Sequence, residues 1–135
     1  MEGGIKATEN LLELSEMPTA IVCSNDMTAI GVLHGLHRTT HEVPDDVSVI
    51  GFDDIHLTQF VLPPLTTVQM SCKALAAAAV QALRAGIEPA LPQSQQAEWY
   101  IPTHLVVRQS TSFPRGSLPA LAKTRPTPRR AATKH

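Results

Sequence analysis

Apolar positions in this chain follow two periods, and the switches between them mark out the elements. Ile5, Leu11, Leu12 and Leu14 supply an apolar side at helical spacing while Glu9 and Glu13 face out, which predicts a helix over 5–14. Gly3-Gly4 reads as the chain's entry to it. After Pro18, the run Thr19-Ala20-Ile21-Val22-Cys23 predicts a short buried strand. Ser24-Asn25-Asp26 closes that strand with three residue types that favour helix N-caps. The helix they open runs from about Met27 to Arg38, with Ala29, Ile30, Leu33 and Leu36 at helical spacing. Gly31 and Gly35 weaken it intrinsically, yet leave a smooth strip that permits close approach of another element.

Turn chemistry at Val43-Pro44-Asp45-Asp46 delivers the chain to a second strand, Val47 to Phe52. This β-branched run stops at a glycine, an aromatic and two acids, Gly51-Phe52-Asp53-Asp54. A single turn over Leu57 to Val61 follows, then Pro63-Pro64, which fixes an extended backbone. Leu65 to Gln69 predicts a third strand. Ser71 is placed to cap an alanine-dominated helix from Cys72 to Ala85, which Gly86 is expected to stop. Beyond a Pro/Gln loop, Trp99 to Val107 is a last extended segment, broken by Pro102 and ended by Arg108-Gln109-Ser110-Thr111.

The order strand, helix, strand implies a right-handed crossover and a parallel sheet. The expected fold class is therefore α/β: a parallel sheet with flanking helices, in which 19–23, 47–52 and 65–69 are parallel strands. The 135 residues amount to one domain. Hydrophobic residues make up 43% and aromatics only 4%, so the core must be aliphatic and alanine-rich.

Charge divides the chain in two. Residues 115–135 hold six of the eleven basic residues and no acid, which leaves 1–114 at about −7. Residues 1–114 are expected to form the domain, and 115–135 a basic, Pro/Ala/Arg-rich disordered tail. An acidic body does not attract nucleic acid, and the tail could do so only weakly and without sequence preference. No apolar run is long enough to cross a membrane. Met1-Glu2-Gly3-Gly4 lacks the opening of a signal peptide. Cys23 and Cys72 suit reduced thiols, so a cytoplasmic location is expected.

Few residues look chemically active. His34, His37 and His41 are spaced three and four apart, but Arg38 lies beside them and His41 falls past the helix end, so no metal is expected. Cys23 sits in an apolar strand with no base nearby and reads as inert. There is no phosphate loop and no nucleophile elbow, so neither a cofactor nor a catalytic residue is expected. The two strand ends stand out. Asn25 follows the first strand and Asp53 ends the second, so adjacent parallel strands would bring an amide and a carboxylate to one sheet edge. Asn25 can donate and accept whereas Asp53 only accepts, a pairing suited to a hydroxyl-rich ligand and to binding rather than turnover.

Four blocks in order carry a family resemblance: Pro18-Thr19-Ala20-Ile21-Val22-Cys23-Ser24-Asn25-Asp26, Val43 through Asp54, Pro63-Pro64-Leu65-Thr66-Thr67-Val68, and Leu105 through Thr111. Together they resemble the C-terminal part of the LacI/GalR family of bacterial transcription regulators, over roughly residues 2–113. The resemblance implies part of a two-lobed, periplasmic-binding-protein-like (type I) sensor, whose small-molecule effector, usually sugar-like, lies between the lobes. It implies effector contacts from Asn25 and Asp53. A family glutamine matches Met70 here, with Gln69 one place early. It also implies a dimer surface drawing on Met27, Ile30, Gly31, His34, Phe60, Val61 and Leu62. DNA binding in the family belongs to a helix-turn-helix that this sequence does not contain. The helix matching Cys72 to Ala85 packs on the first lobe in the family. The expected function is the ligand-sensing portion of a LacI-type regulator. The alternative is an interaction module that dimerises with a full-length relative.

Overall fold

A computed structural model describes residues 1–87 and 99–114. The expected Pro/Gln loop and the basic tail over 115–135 lie outside the described residues. In chain order the elements are α1 (Glu2–Leu12), β1 (Ala20–Val22), α2 (Asp26–His37), β2 (Ser48–Asp53), a 3₁₀ turn (His56–Gln59), β3 (Thr66–Met70), α3 (Cys72–Ile87) and β4 (Thr103–Val106). The strands form one sheet in the order β1-β2-β3-β4. β1, β2 and β3 run parallel as expected, with Ile21 opposite Val49 and Phe52 opposite Val68. β4 returns antiparallel on the β3 edge.

The core forms where α2 lies on β2. Ala29, Val32, Leu33 and Leu36 from the helix meet Val47, Val49, Cys23 and Leu65 from the sheet side. Alternation along β2 explains the division: Val47, Val49 and Gly51 are buried, while Ser48, Ile50 and Phe52 on the opposite face are half-buried. β1 is less enclosed than its apolar run suggests. Among the described residues it is an edge strand with one neighbour, and Val22 is 80% exposed.

The smooth strip on α2 receives α1. Gly4 sits over Gly31, and a side-chain carbon added at Gly31 would overlap the Met1 carbonyl and lie 3.1 Å from the Gly4 Cα. Thr8 packs over Gly35 and turns its hydroxyl back to donate to the Gly4 carbonyl at 3.0 Å. This explains why α1 begins at Glu2 and includes both early glycines, earlier than the expected 5–14. Tertiary packing outweighs their poor propensity. It also explains why the buried residues of α1 are Gly4 and Thr8 while Leu14 is exposed. Gly31→Ala is expected to cost about 1–3 kcal/mol by overpacking against backbone. A urea unfolding midpoint measures it, and an unchanged midpoint would contradict this packing.

α3 is capped as expected, with the Ser71 hydroxyl accepting from the Ala74 amide at 3.2 Å. Gly86 does not end it: the helix runs on to Ile87. A glycine stops a helix by taking a left-handed backbone, and Gly86 does not take one. None of the residues of α3 is buried, and Leu75, Val80, Leu83 and Ile87 are exposed.

The segment after β4 fastens the sheet. Ser110 accepts from the Thr66 amide at 2.8 Å and donates to the Val49 carbonyl at 2.6 Å, so it bridges β2 and β3 where they begin. The backbones of Arg108 and Gln109 add bonds to Thr66 Oγ1 and to the Pro64 carbonyl, both at 2.9 Å. Among the described residues no helix is long and apolar enough to cross a membrane.

Candidate ligand-binding site

The carboxyl ends of β1 and β2 define the site. Asn25 follows β1 with an extended backbone (φ −157°), and its Oδ1 accepts from the Thr28 amide at 2.8 Å, capping α2. One half of its side-chain amide is thus used locally, and the Nδ2 group is the half that can serve a ligand. Asp53 ends β2 half-buried. Among the described residues its carboxylate has no hydrogen-bonding or ionic partner within the chain.

The backbone here is strained. Asp53 and Asp54 have φ of 114° and 56°, a region that costs L residues on the order of 1–3 kcal/mol each. Asp54 has the partners that Asp53 lacks. Arg108 Nη2 donates to its Oδ1 at 2.6 Å and Gln69 Nε2 to its Oδ2 at 2.6 Å. Both charged side chains are well covered, at 15% exposure for Arg108 and 10% for Asp54. The other guanidinium arm donates to Thr58 Oγ1 at 3.1 Å and to the Leu65 carbonyl at 2.9 Å. The adjacent acids therefore differ: Asp54 is bound into the framework, and Asp53 has no such partner among the described residues. Gln69 is occupied by Asp54.

Asp26 is the residue whose weight is least visible in the sequence. Its type and position suggest a cap, but it is fully buried. Oδ1 accepts from Thr67 Oγ1 at 2.5 Å and Oδ2 from the Ile55 amide at 2.9 Å. It therefore ties the start of α2 to β3 and to the chain just past Asp54. Gly51 is the available signal. A glycine inside a strand marks a close approach, and a side-chain carbon there would overlap Asp26 Oδ1.

Burial pushes the Cys23 thiol above its usual range, and the Asp26 carboxylate adds to the shift. A raised thiol pKa leaves less thiolate at any given pH, and Cys72 is exposed. Iodoacetamide at about pH 8 is expected to modify Cys72 in the native chain and Cys23 only after unfolding, as read by peptide mass. Equal rates at the two would contradict the buried placement.

The remaining candidates separate. His41 lies beyond α2, with Nδ1 3.3 Å from Thr39 Oγ1, and no group of three potential metal ligands exists among the described residues. A hollow of about 350 Å³ is lined by His37, His41, Glu42, Pro44 and Leu62. Neither Asn25 nor Asp53 lines it. Of the residues expected at a dimer surface, Met27 and His34 are exposed, Phe60 is 66% and Leu62 87% exposed, and Val61 is half-buried against the core. Ile30, at 8% exposure, belongs to the core, and Gly31 is covered by α1. These two offer little surface to a second chain.

The carboxyl ends of β1 and β2 thus carry, among the described residues, an unpartnered carboxylate at Asp53 and a capping amide at Asn25. Residues 2–111 match the periplasmic binding protein-like domain, and the chain belongs to that family. Its relatives there are LacI-type regulators, and the matched part is their sensor domain. The probable HTH-type transcriptional repressor ExuR of Bacillus subtilis is 39% identical over 110 residues, 82% of this chain. Those residues are 32% of ExuR, so the chain spans about a third of that relative's length. A LacI family transcriptional regulator from Lactobacillus casei, crystallised with sucrose, superposes with a TM-score of 0.64 at 32% identity. The match covers 82% of this chain and 40% of that one. A regulator of the same family from Enterococcus faecium, with bound ribose, gives 0.66 at 29% identity, covering 82% and 40%.

Proposed function

We propose that this chain supplies one wall of the effector cleft of a LacI-type repressor, with a sugar or related metabolite as ligand and Asn25 and Asp53 as its polar contacts. The observation that carries this is the free Asp53 carboxylate beside a fully engaged Asp54. A half-buried carboxylate with no protein partner keeps its acceptor sites open to water or to a ligand's donors. The sugars in the Lactobacillus casei and Enterococcus faecium structures supply the ligand class. Their hydroxyls donate to a carboxylate and accept from an amide, the two functions offered here. A cleft needs two walls, so the affinity of these 135 residues alone is expected to be weak, roughly millimolar or beyond.

A nuclear magnetic resonance titration of the labelled chain with ribose and with sucrose tests this. Amide shifts should move around Asn25 and Asp53. Shifts confined to the His37–Leu62 hollow, or none with either sugar, would count against the reading.

The exposed Met27, His34, Phe60 and Leu62 support a second part of the proposal, association with another copy or with a full-length relative. Leu62→Asp is expected to shift equilibrium sedimentation from dimer toward monomer by roughly tenfold or more in Kd. A wild-type chain that stays monomeric at high concentration refutes this part. Response at DNA belongs to the whole repressor, because the described residues contain no helix-turn-helix to place side chains on base edges.

A further inference from the structure

We propose that Asp54 and Arg108 form a latch that holds the strained turn at Asp53 in the geometry a ligand meets, acting as a positioning pair for that residue. The inference rests on reading Asp53 as the ligand's acceptor. Two successive positive φ values do not persist in L residues unless their surroundings enforce them. Only one of the two side chains is restrained by others. Asp54 has an oxygen on Arg108 Nη2 and an oxygen on Gln69 Nε2.

Arg108 supplies the reach. Its second arm bonds Thr58 in the 3₁₀ turn and the Leu65 carbonyl ahead of β3, and its backbone amide bonds Thr66 Oγ1. One guanidinium therefore ties the end of β2, the following turn and the start of β3 into a single unit. Asp26 pins the same turn from the α2 side through the Ile55 amide. Asp53 sits between these restraints without bonding to either. With Asp54 released, the turn relaxes toward ordinary negative φ and the Asp53 carboxylate turns away from the sheet edge. A lysine cannot replace the arginine fully, because it lacks the planar fork that serves two acceptors at once.

The test uses the intact, isotopically labelled 135-residue chain with Arg108→Gln, Arg108→Lys and Asp54→Asn. The readouts are the Asp53 Cα and Cβ shifts, which report its backbone angle, and hydrogen exchange at the Ile55 amide. In Arg108→Gln and Asp54→Asn the Asp53 shifts are expected to move toward the negative-φ range. Ile55 exchange is expected to quicken roughly tenfold, while Leu33 and Leu36 in α2 exchange at the wild-type rate. Arg108→Lys is expected to fall between. A merely structural pair would lower protection throughout the sheet and α2, and that result overturns the proposal. So do unchanged Asp53 shifts in Arg108→Gln. If that variant does not fold, the other two are read on the same resonances. None of these readouts needs a ligand, so failure of the wild-type chain to bind ribose overturns the cleft reading alone.

Discussion

Asp53→Gly is expected to make the chain more stable and less able to bind sugar. At φ 114° a glycine sits without the penalty that an L residue bears. Relief of on the order of 1 kcal/mol should raise the urea midpoint. The same change removes the Asp53 carboxylate, which has no partner among the described residues. Losing a charged acceptor to a ligand hydroxyl costs roughly 1.5–3 kcal/mol, about ten- to a hundredfold in affinity. Asp53→Ala separates the two effects, since it loses the acceptor and keeps the strain. Opposite signs in stability and binding for Asp53→Gly mark a residue retained for function. A glycine variant that is both less stable and equally good at binding would show that Asp53 serves the fold.

Asp26→Ala is expected to unfold the chain or nearly so. The carboxylate is fully buried and accepts from Thr67 Oγ1 and from the Ile55 amide. Removing it strands the fully buried Thr67 hydroxyl, at about 1–3 kcal/mol, and leaves the part-buried Ile55 amide without its acceptor. That is a large fraction of the few kcal/mol that a small domain has in hand. Asp26→Asn should be milder. Its single carbonyl can still accept from Ile55, and the Thr67 hydroxyl can rotate to accept from the new amide. Guanidinium unfolding followed by circular dichroism gives the order wild type, Asn, Ala. Equal stability of the Ala and Asn variants would mean these bonds contribute little.

The strands and α2 were legible because local pattern and tertiary role agree there. The apolar run of β2 ends at Gly51, Phe52 and two acids, and that is where the sheet edge falls. Asn25 is both a favoured cap and an observed one. The differences arise where a distant partner decides. Gly3 and Gly4 belong to α1 because α2 presents its own glycines to them, a fact no local window contains. Val22 is exposed because it shares with its register partner Ile50 the face turned away from α2, on a strand with one neighbour among the described residues. That depends on strand order and register and not on the composition of the run. The family resemblance implies a dimer surface at Ile30 and Gly31, yet the core and α1 take them, as their apolar spacing and small-residue strip allow.

The placement of the candidate residues at one sheet edge was legible in part for the same reason. Asp53 and Asp54 are identical in type and adjacent, so residue chemistry alone gives them one role. Only the fold brings Arg108, fifty-four residues on, and Gln69 onto Asp54. Asp26 looked like a cap because Ser, Asn and Asp share that preference. The glycine that makes room for it, Gly51, sits in a different element.

The carboxyl carbon of Asp53, followed through a ribose titration of the 13C-labelled chain, tests the central claim most directly. Asp54 serves as control in the same spectrum, since its oxygens are held by Arg108 and Gln69. The expected result is a saturable shift of the Asp53 resonance with that of Asp54 unmoved. A moving Asp54 resonance with a fixed Asp53, or two fixed resonances at saturating sugar, would contradict the assignment of Asp53 as the residue that meets the ligand.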